Sequence, residues 1–168
     1  MSAAPHALLN ALAPEEAGRA LVRCCGSSRW VSGMLARRPF SSGDDLHAAA
    51  DAVWAGLGRD DFLEAFAHHP QIGGGAGGAP AATRAWSAEE QGRAGTGSAD
   101  DAAALRALNQ AYAERFGYIF IICATGKSAA EILAALRARL GHDPDTELGV
   151  AAAEQARITH LRLEKLAR

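Results

Sequence analysis

The chain has 168 residues, a formal net charge of -2 and 49% hydrophobic residues, enough for one domain with a real core and ordinary for a globular protein. Its 17 basic and 19 acidic residues exclude the basic face that neutralises nucleic-acid phosphates and the basic tail that seeks an anionic membrane surface. Alanine and leucine dominate and aromatics are few, so helix is favoured over sheet.

Cys24, Cys25 and Cys123 offer neither a disulfide framework nor a C-x-x-C pair, and reduced thiols in a cytoplasmic protein are expected. The first residues lack a basic segment followed by a long apolar run, so no secretory signal is expected. The last residues are not a peroxisomal address. The longest uncharged apolar run without a helical pattern, residues 118–124, is far short of the ~20 residues that span a bilayer.

A short helix is expected over residues 5–11. Pro14 at a first helical position, with Glu15 and Glu16 behind it, predicts a helix to about Cys25, stopped at Gly26. Ser27 or Ser28 caps a third helix carrying Trp30, Val31, Met34 and Leu35, which Pro39 ends. Ser42-Gly43-Asp44-Asp45 has the form of a capping box with Asp in the Glu position. Behind it Leu46, Ala49, Ala50, Val53, Trp54 and Leu57 make the cleanest amphipathic stripe in the chain, closed at Gly58. Residues 59–69 carry Phe62, Leu63 and Phe66 and end at or near His69, because Pro70 disfavours the α conformation before it.

Residues 73–83, with Gly73, Gly74, Gly75, Gly77 and Gly78, read as a flexible glycine-rich loop. The loop lacks G-K-[ST] and a preceding strand, so it is not a phosphate cradle. Ser87-Ala88-Glu89-Glu90 has the form of a capping box and predicts a helix opening at Ser87, weakened by Gly92 and Gly95. Ser98 opens the next, whose stripe is Leu105, Leu108, Tyr112 and Phe116 and whose stop is Gly117. Residues 118–124 have strand propensity but no second strand to pair with. An extended buried connector is therefore expected, its backbone groups met by side chains or by a ligand. Ser128 to Glu131 is a third capping box, and its helix carries Ile132, Leu133, Leu136 and Leu140 before Gly141. Asp143-Pro144 opens the longest helix, to about residue 166. The expectation is one all-α domain over residues 1–168, with about eight helices and an extended connector near 118–125.

Three constellations carry possible chemistry. His69 ends a helix, where an imidazole either meets the last carbonyls or serves as an acid–base group that titrates near neutrality. His68 lies four residues after Glu64 and has a ready structural role. Ser87 and Glu90 read first as helix capping. The same geometry would offer amides to an anion, with Gln91 able to donate and accept. On the last helix, Leu148, Ala152, Thr159 and Leu166 fall near one line at 3.6 residues per turn, Arg162 lies close to it, and Arg157 lies opposite. Arg162 either snorkels outward or enters a pocket and clamps a carboxylate. Glu64, His68 and His69 do not converge as metal ligands, so no metal is expected.

The order H-P-x-I-G at residues 69–73, S-x-x-E-Q at 87–91, F-G-Y-x-F-I-x-C-A-x-G at 116–126 and L-R-L-x-x-L at 161–166 resembles the OHCU decarboxylases, which act on 2-oxo-4-hydroxy-4-carboxy-5-ureidoimidazoline in urate breakdown. The resemblance implies an all-helical fold with neither metal nor organic cofactor. It implies that His69, Glu90 and Arg162 are the catalytic residues. Pro70, Ser87 and Gln91, with the backbone of Phe120, Ile121, Ile122, Cys123 and Ala124, would line the substrate pocket. The partner is then a small-molecule ureidoimidazoline, with no nucleic acid and no membrane, and assembly stays open between monomer and homodimer. Two other readings stand beside this one. A helical interaction module without chemistry would leave His69, Glu90 and Arg162 apart or exposed. A cofactor-free lyase or isomerase would act on a related ureido compound.

Overall fold

The computed structural model describes residues 3–72 and 81–168, and among these the secondary structure is helical with no strand. Contacts divide the chain into two compact units, residues 1–65 with 156–168 and residues 66–155. Two helices, α5 (Arg59–Ala67) and α9 (Pro144–Lys165), contribute residues to both. Nine α-helices and one 3-10 turn are described, against an expectation of about eight.

In the first unit α1 (Pro5–Ala11) lies against α2 (Pro14–Cys24) and α4 (Gly43–Ala55), and α3 (Ser28–Ala36) packs between α2 and α4. The start signals act as expected. Pro5 and Pro14 open their helices, where a missing N–H costs nothing. The Ser27 hydroxyl accepts from Trp30 N–H, and the Ser42 hydroxyl accepts from Asp45 N–H. Gly33 marks the crossing of α3 and α4: a Cβ there would stand 2.7 Å from the Val53 side chain. Leu9, Leu21, Trp30, Met34 and Leu46 are fully buried, and the Trp30 indole donates to Ala50 O at 3.2 Å.

In the second unit α6 (Ala81–Glu90) leads through a 3-10 turn (Ala94–Thr96) to α7 (Ala99–Phe116), which packs on α8 (Ala129–Arg139). Ser98 and Ser128 cap α7 and α8 as their sequences predict. Gly117 ends α7 at φ 82°, the left-handed conformation that favours glycine.

The helix expected to open at Ser87 already runs from Ala81, so Ser87 and Glu90 lie in its last turn. An S-x-x-E pattern marks a start only when non-helical chain precedes it. Here the helix-favouring run Ala81-Ala82-Thr83-Arg84-Ala85-Trp86 carries the helix through Ser87. The glycine-rich loop expected over 73–83 falls partly outside the described residues, and 81–83 are helical. Among the described residues no helix is long and apolar enough to cross a membrane.

Candidate active site

His69 follows the end of α5 by two residues, its N–H bonded to Phe66 O at 3.1 Å, and Pro70 behind it is buried. Phe66, one turn earlier, is fully buried with its ring 5.3 Å from that of Tyr118. The half-buried His69 ring places Nε2 2.6 Å from Oε1 of Gln155 on α9, and Gln155 is wholly buried. Beyond Pro70, Asn109 on α7 donates to Ile72 O at 2.8 Å. The chain is thus held on both sides of the histidine.

On α6 the polar side chains of Thr83, Ser87 and Glu90 recur at i, i+4 and i+7 and are all buried. Ser87 is not an N-cap, and its amide lies inside the helix, so the expected anion-binding helix start is absent at this point. Gln91, half-buried, follows with its N–H on Ser87 O at 3.1 Å. The helix instead delivers Glu90 as its last residue.

An extended connector is expected near 118–125; residues 117–128 are non-helical between α7 and α8 and turn at 125–126, with Phe120, Ile121, Ile122 and Ala124 buried and Cys123 half-buried. Its backbone is met by side chains. Arg139 Nη1 donates to Ile121 O at 2.7 Å, Cys123 N–H donates to Glu154 at 3.1 Å, and Arg93 donates to Gly126 O. The Cys123 amide is therefore met by a side chain, one of the two kinds of partner expected for this segment.

Arg139 lies over the Phe120 ring, 4.3 Å from its centroid. Glu147 holds it in place, at 2.6 Å from Nη2 and 2.8 Å from Nε. Glu147 is wholly buried and also accepts from Tyr112 OH at 2.5 Å, with His142 Nδ1 at 2.9 Å. This full set of partners is what a buried carboxylate requires. Burial, with the Glu147 hydrogen bond, pushes the Tyr112 hydroxyl far above its usual range. Burial also raises the Cys123 thiol, and the Glu154 and Glu90 carboxylates push it the same way against Thr125 N–H and Lys127.

Arg162 belongs to the first unit and is 3% exposed, so it does not snorkel. Its Nη1 donates to Arg23 O at 3.1 Å, and the Thr159 hydroxyl donates to Cys24 O at 3.4 Å. Both meet the C-terminal carbonyls of α2, where a cation is favoured. Beside them burial pushes the Cys25 thiol up to about 12, against the Ser27 and Thr159 hydrogen bonds and the Arg162 charge. Arg157 is exposed, as its helical angle predicts. Among the described residues no three of His, Cys, Asp and Glu are arranged to hold a metal ion.

A family model described as OHCU decarboxylase matches residues 10–164. The chain belongs to the OHCU decarboxylase family. It is 41% identical over 147 residues to the uric acid degradation bifunctional protein TTL of Arabidopsis thaliana, covering 85% of this chain and 45% of that protein. The chain thus spans less than half the length of this relative. The 2-oxo-4-hydroxy-4-carboxy-5-ureidoimidazoline decarboxylase of Amia calva is 37% identical, with 77% of this chain and 74% of that one covered. A crystal structure of an OHCU decarboxylase in the presence of (S)-allantoin superposes with a TM-score of 0.73 at 36% identity, covering 86% of this chain and 94% of that chain.

OHCU decarboxylase membership accords with the all-α fold, and the chain's buried polar groups exceed what the sequence motifs named. Buried Gln155, Glu147 and Arg139, and half-buried Glu154, went unmarked in sequence. A signal was present: Ala151, Gln155, Ile158 and Arg162 recur at i, i+4, i+7 and i+11, the period of a buried stripe, and all four are buried. Of the expected stripe, Ala152 and Thr159 are buried while Leu148 and Leu166 are half-buried.

Proposed function

We propose that this chain decarboxylates 2-oxo-4-hydroxy-4-carboxy-5-ureidoimidazoline to (S)-allantoin and CO2. The observation that carries the reading is the family match along residues 10–164. The chemistry suits a protein that supplies only side chains and dipoles. When CO2 leaves, the electron pair of the broken C–C bond forms a ring C=C, and the adjacent C=N pair moves onto nitrogen, which takes up a proton. The resulting enol then gains a proton at carbon as its hydroxyl proton departs. The substrate's own C=N is the electron sink, so the protein's task is orientation, charge stabilisation and delivery of a proton to one face.

In this reading His69 and Glu90 share the movement of protons, with His69 as the group that protonates the ring carbon. Arg162 and main-chain amides hold the ureido group and the anionic oxygens. Pro70, Ser87, Gln91, Phe120, Ile121, Ile122, Cys123 and Ala124 shape the pocket. Burial supports this over an interaction module without chemistry: Glu90 is 9% exposed, Arg162 is 3% exposed and His69 is half-buried. We further propose that the enzyme works in the cytoplasm and that its assembly is a homodimer.

The test generates the unstable substrate from urate in situ and follows circular dichroism. The expected result is accelerated formation of one allantoin enantiomer. A trace no faster than spontaneous decay refutes the activity, and rapid turnover of only a different ureido compound favours the related lyase or isomerase.

A further inference from the structure

His69 and Gln155 stand 86 residues apart in sequence and meet at 2.6 Å, Nε2 to Oε1. Both belong to the second unit. Gln155 is wholly buried, so its amide is held away from water. The neighbouring residue, Glu154, takes the Cys123 N–H, and Glu147, two turns earlier on α9, holds the Arg139 guanidinium that donates to Ile121 O. One helix therefore sets the place of the imidazole and of the connector together.

We propose that Gln155 is a positioning residue that fixes His69 as its Nε2–H tautomer, making Nδ1 the nitrogen that gains and loses the catalytic proton. The inference rests on the reading of His69 as the proton-handling group. A carbonyl oxygen accepts and cannot donate, so the proton shared at 2.6 Å lies on Nε2. A neutral imidazole then carries its lone pair at Nδ1. The choice of an amide over a carboxylate also has a consequence. A carboxylate at this distance would stabilise the imidazolium and hold the proton that has to reach carbon. Glutamine orients the ring without adding that charge.

The experiment labels the histidines with 15N and reads the ring-nitrogen shifts of His69, assigned by difference with His69→Ala, at a pH where the ring is neutral. The wild type and Gln155→Glu, which keeps an acceptor at the same place, are expected to show Nε2–H. Gln155→Leu is expected to lose this preference. Its kcat should fall about 10–100-fold, as for outer partners that orient imidazoles elsewhere, with KM within about threefold of wild type. A wild-type ring protonated on Nδ1 overturns the proposal, as does a Gln155→Leu protein with wild-type ring shifts and turnover. If the leucine variant fails to fold, the wild-type and Gln155→Glu spectra decide alone. The spectra need no substrate, so a chain that shows Nε2–H without decarboxylating refutes the function and leaves the tautomer assignment standing.

Discussion

The two units bury different kinds of group. In residues 1–65 with 156–168, the interior is led by Leu9, Leu21, Trp30, Met34 and Leu46, with Ser27, Thr159 and Arg162 buried where α2 and α3 end or begin. In residues 66–155, Thr83, Ser87, Glu90, Asn109, Arg139, Glu147 and Gln155 are all buried, and the backbone between α7 and α8 is irregular. Buried polar groups cost stability unless each finds a partner, and at best they return little more than an apolar core would. Apart from its last helical turns, where Arg162 and Lys165 are buried, the first unit is therefore organised mainly by apolar packing. The second carries fixed dipoles and charges of the kind that stabilise a reacting substrate.

Arg139→Met should break that contrast most visibly. It leaves Glu147 buried without its cation and frees Ile121 O, and should cost about 3–5 kcal/mol in denaturant unfolding. Arg139→Met combined with Glu147→Gln should recover most of this, because the uncompensated charge is gone. A single variant as stable as the double would show that the ion pair is not what the second unit is built on.

Leu46→Ala in the first unit should cost about 2–5 kcal/mol through its cavity while leaving turnover per folded molecule unchanged. Loss of turnover without loss of stability would mean that this apolar packing does more than hold the fold.

Cys25 gives a pH-dependent version of the comparison. Burial raises its thiol from 9.0 to about 12, so the folded chain keeps a proton that the unfolded chain has already released. The resulting contribution is full below about pH 9 and is lost as pH rises toward about 12. Cys25→Ala should therefore show a shallower fall in melting temperature than wild type across that window. Parallel curves would remove Cys25 from the account. Smallest of all, Ser42→Ala should cost about 1 kcal/mol, the usual worth of an N-cap, again without effect on turnover.

The fold was largely legible because its start and stop signals are local. Ser27, Ser42, Ser98 and Ser128 each accept a backbone N–H as their spacing predicts. Ser87 carries the same signature and misleads, since a local motif cannot say whether the helix has already begun. The connector was legible from an accounting of unpaired backbone, and its partners Arg139 and Glu154 are side chains, one of the two possibilities foreseen. The burial of Arg162 was legible from its helical angle, and its bond to the Arg23 carbonyl was not. Gln155 was not marked, because a glutamine on a helix reads by default as solvated and its partner lies 86 residues away. The buried Glu147 was hidden in the same way, within a first turn where acidic residues are expected to serve the dipole.

The central claim is that the polar interior of the second unit serves the chemistry of His69. The most direct measurement places wild type and His69→Ala side by side in the in situ circular dichroism assay and melts both proteins. The account predicts rapid formation of (S)-allantoin by wild type and a loss of at least about 10²–10⁴-fold in the variant, with melting close to that of wild type. Near wild-type turnover by a folded His69→Ala protein would contradict it.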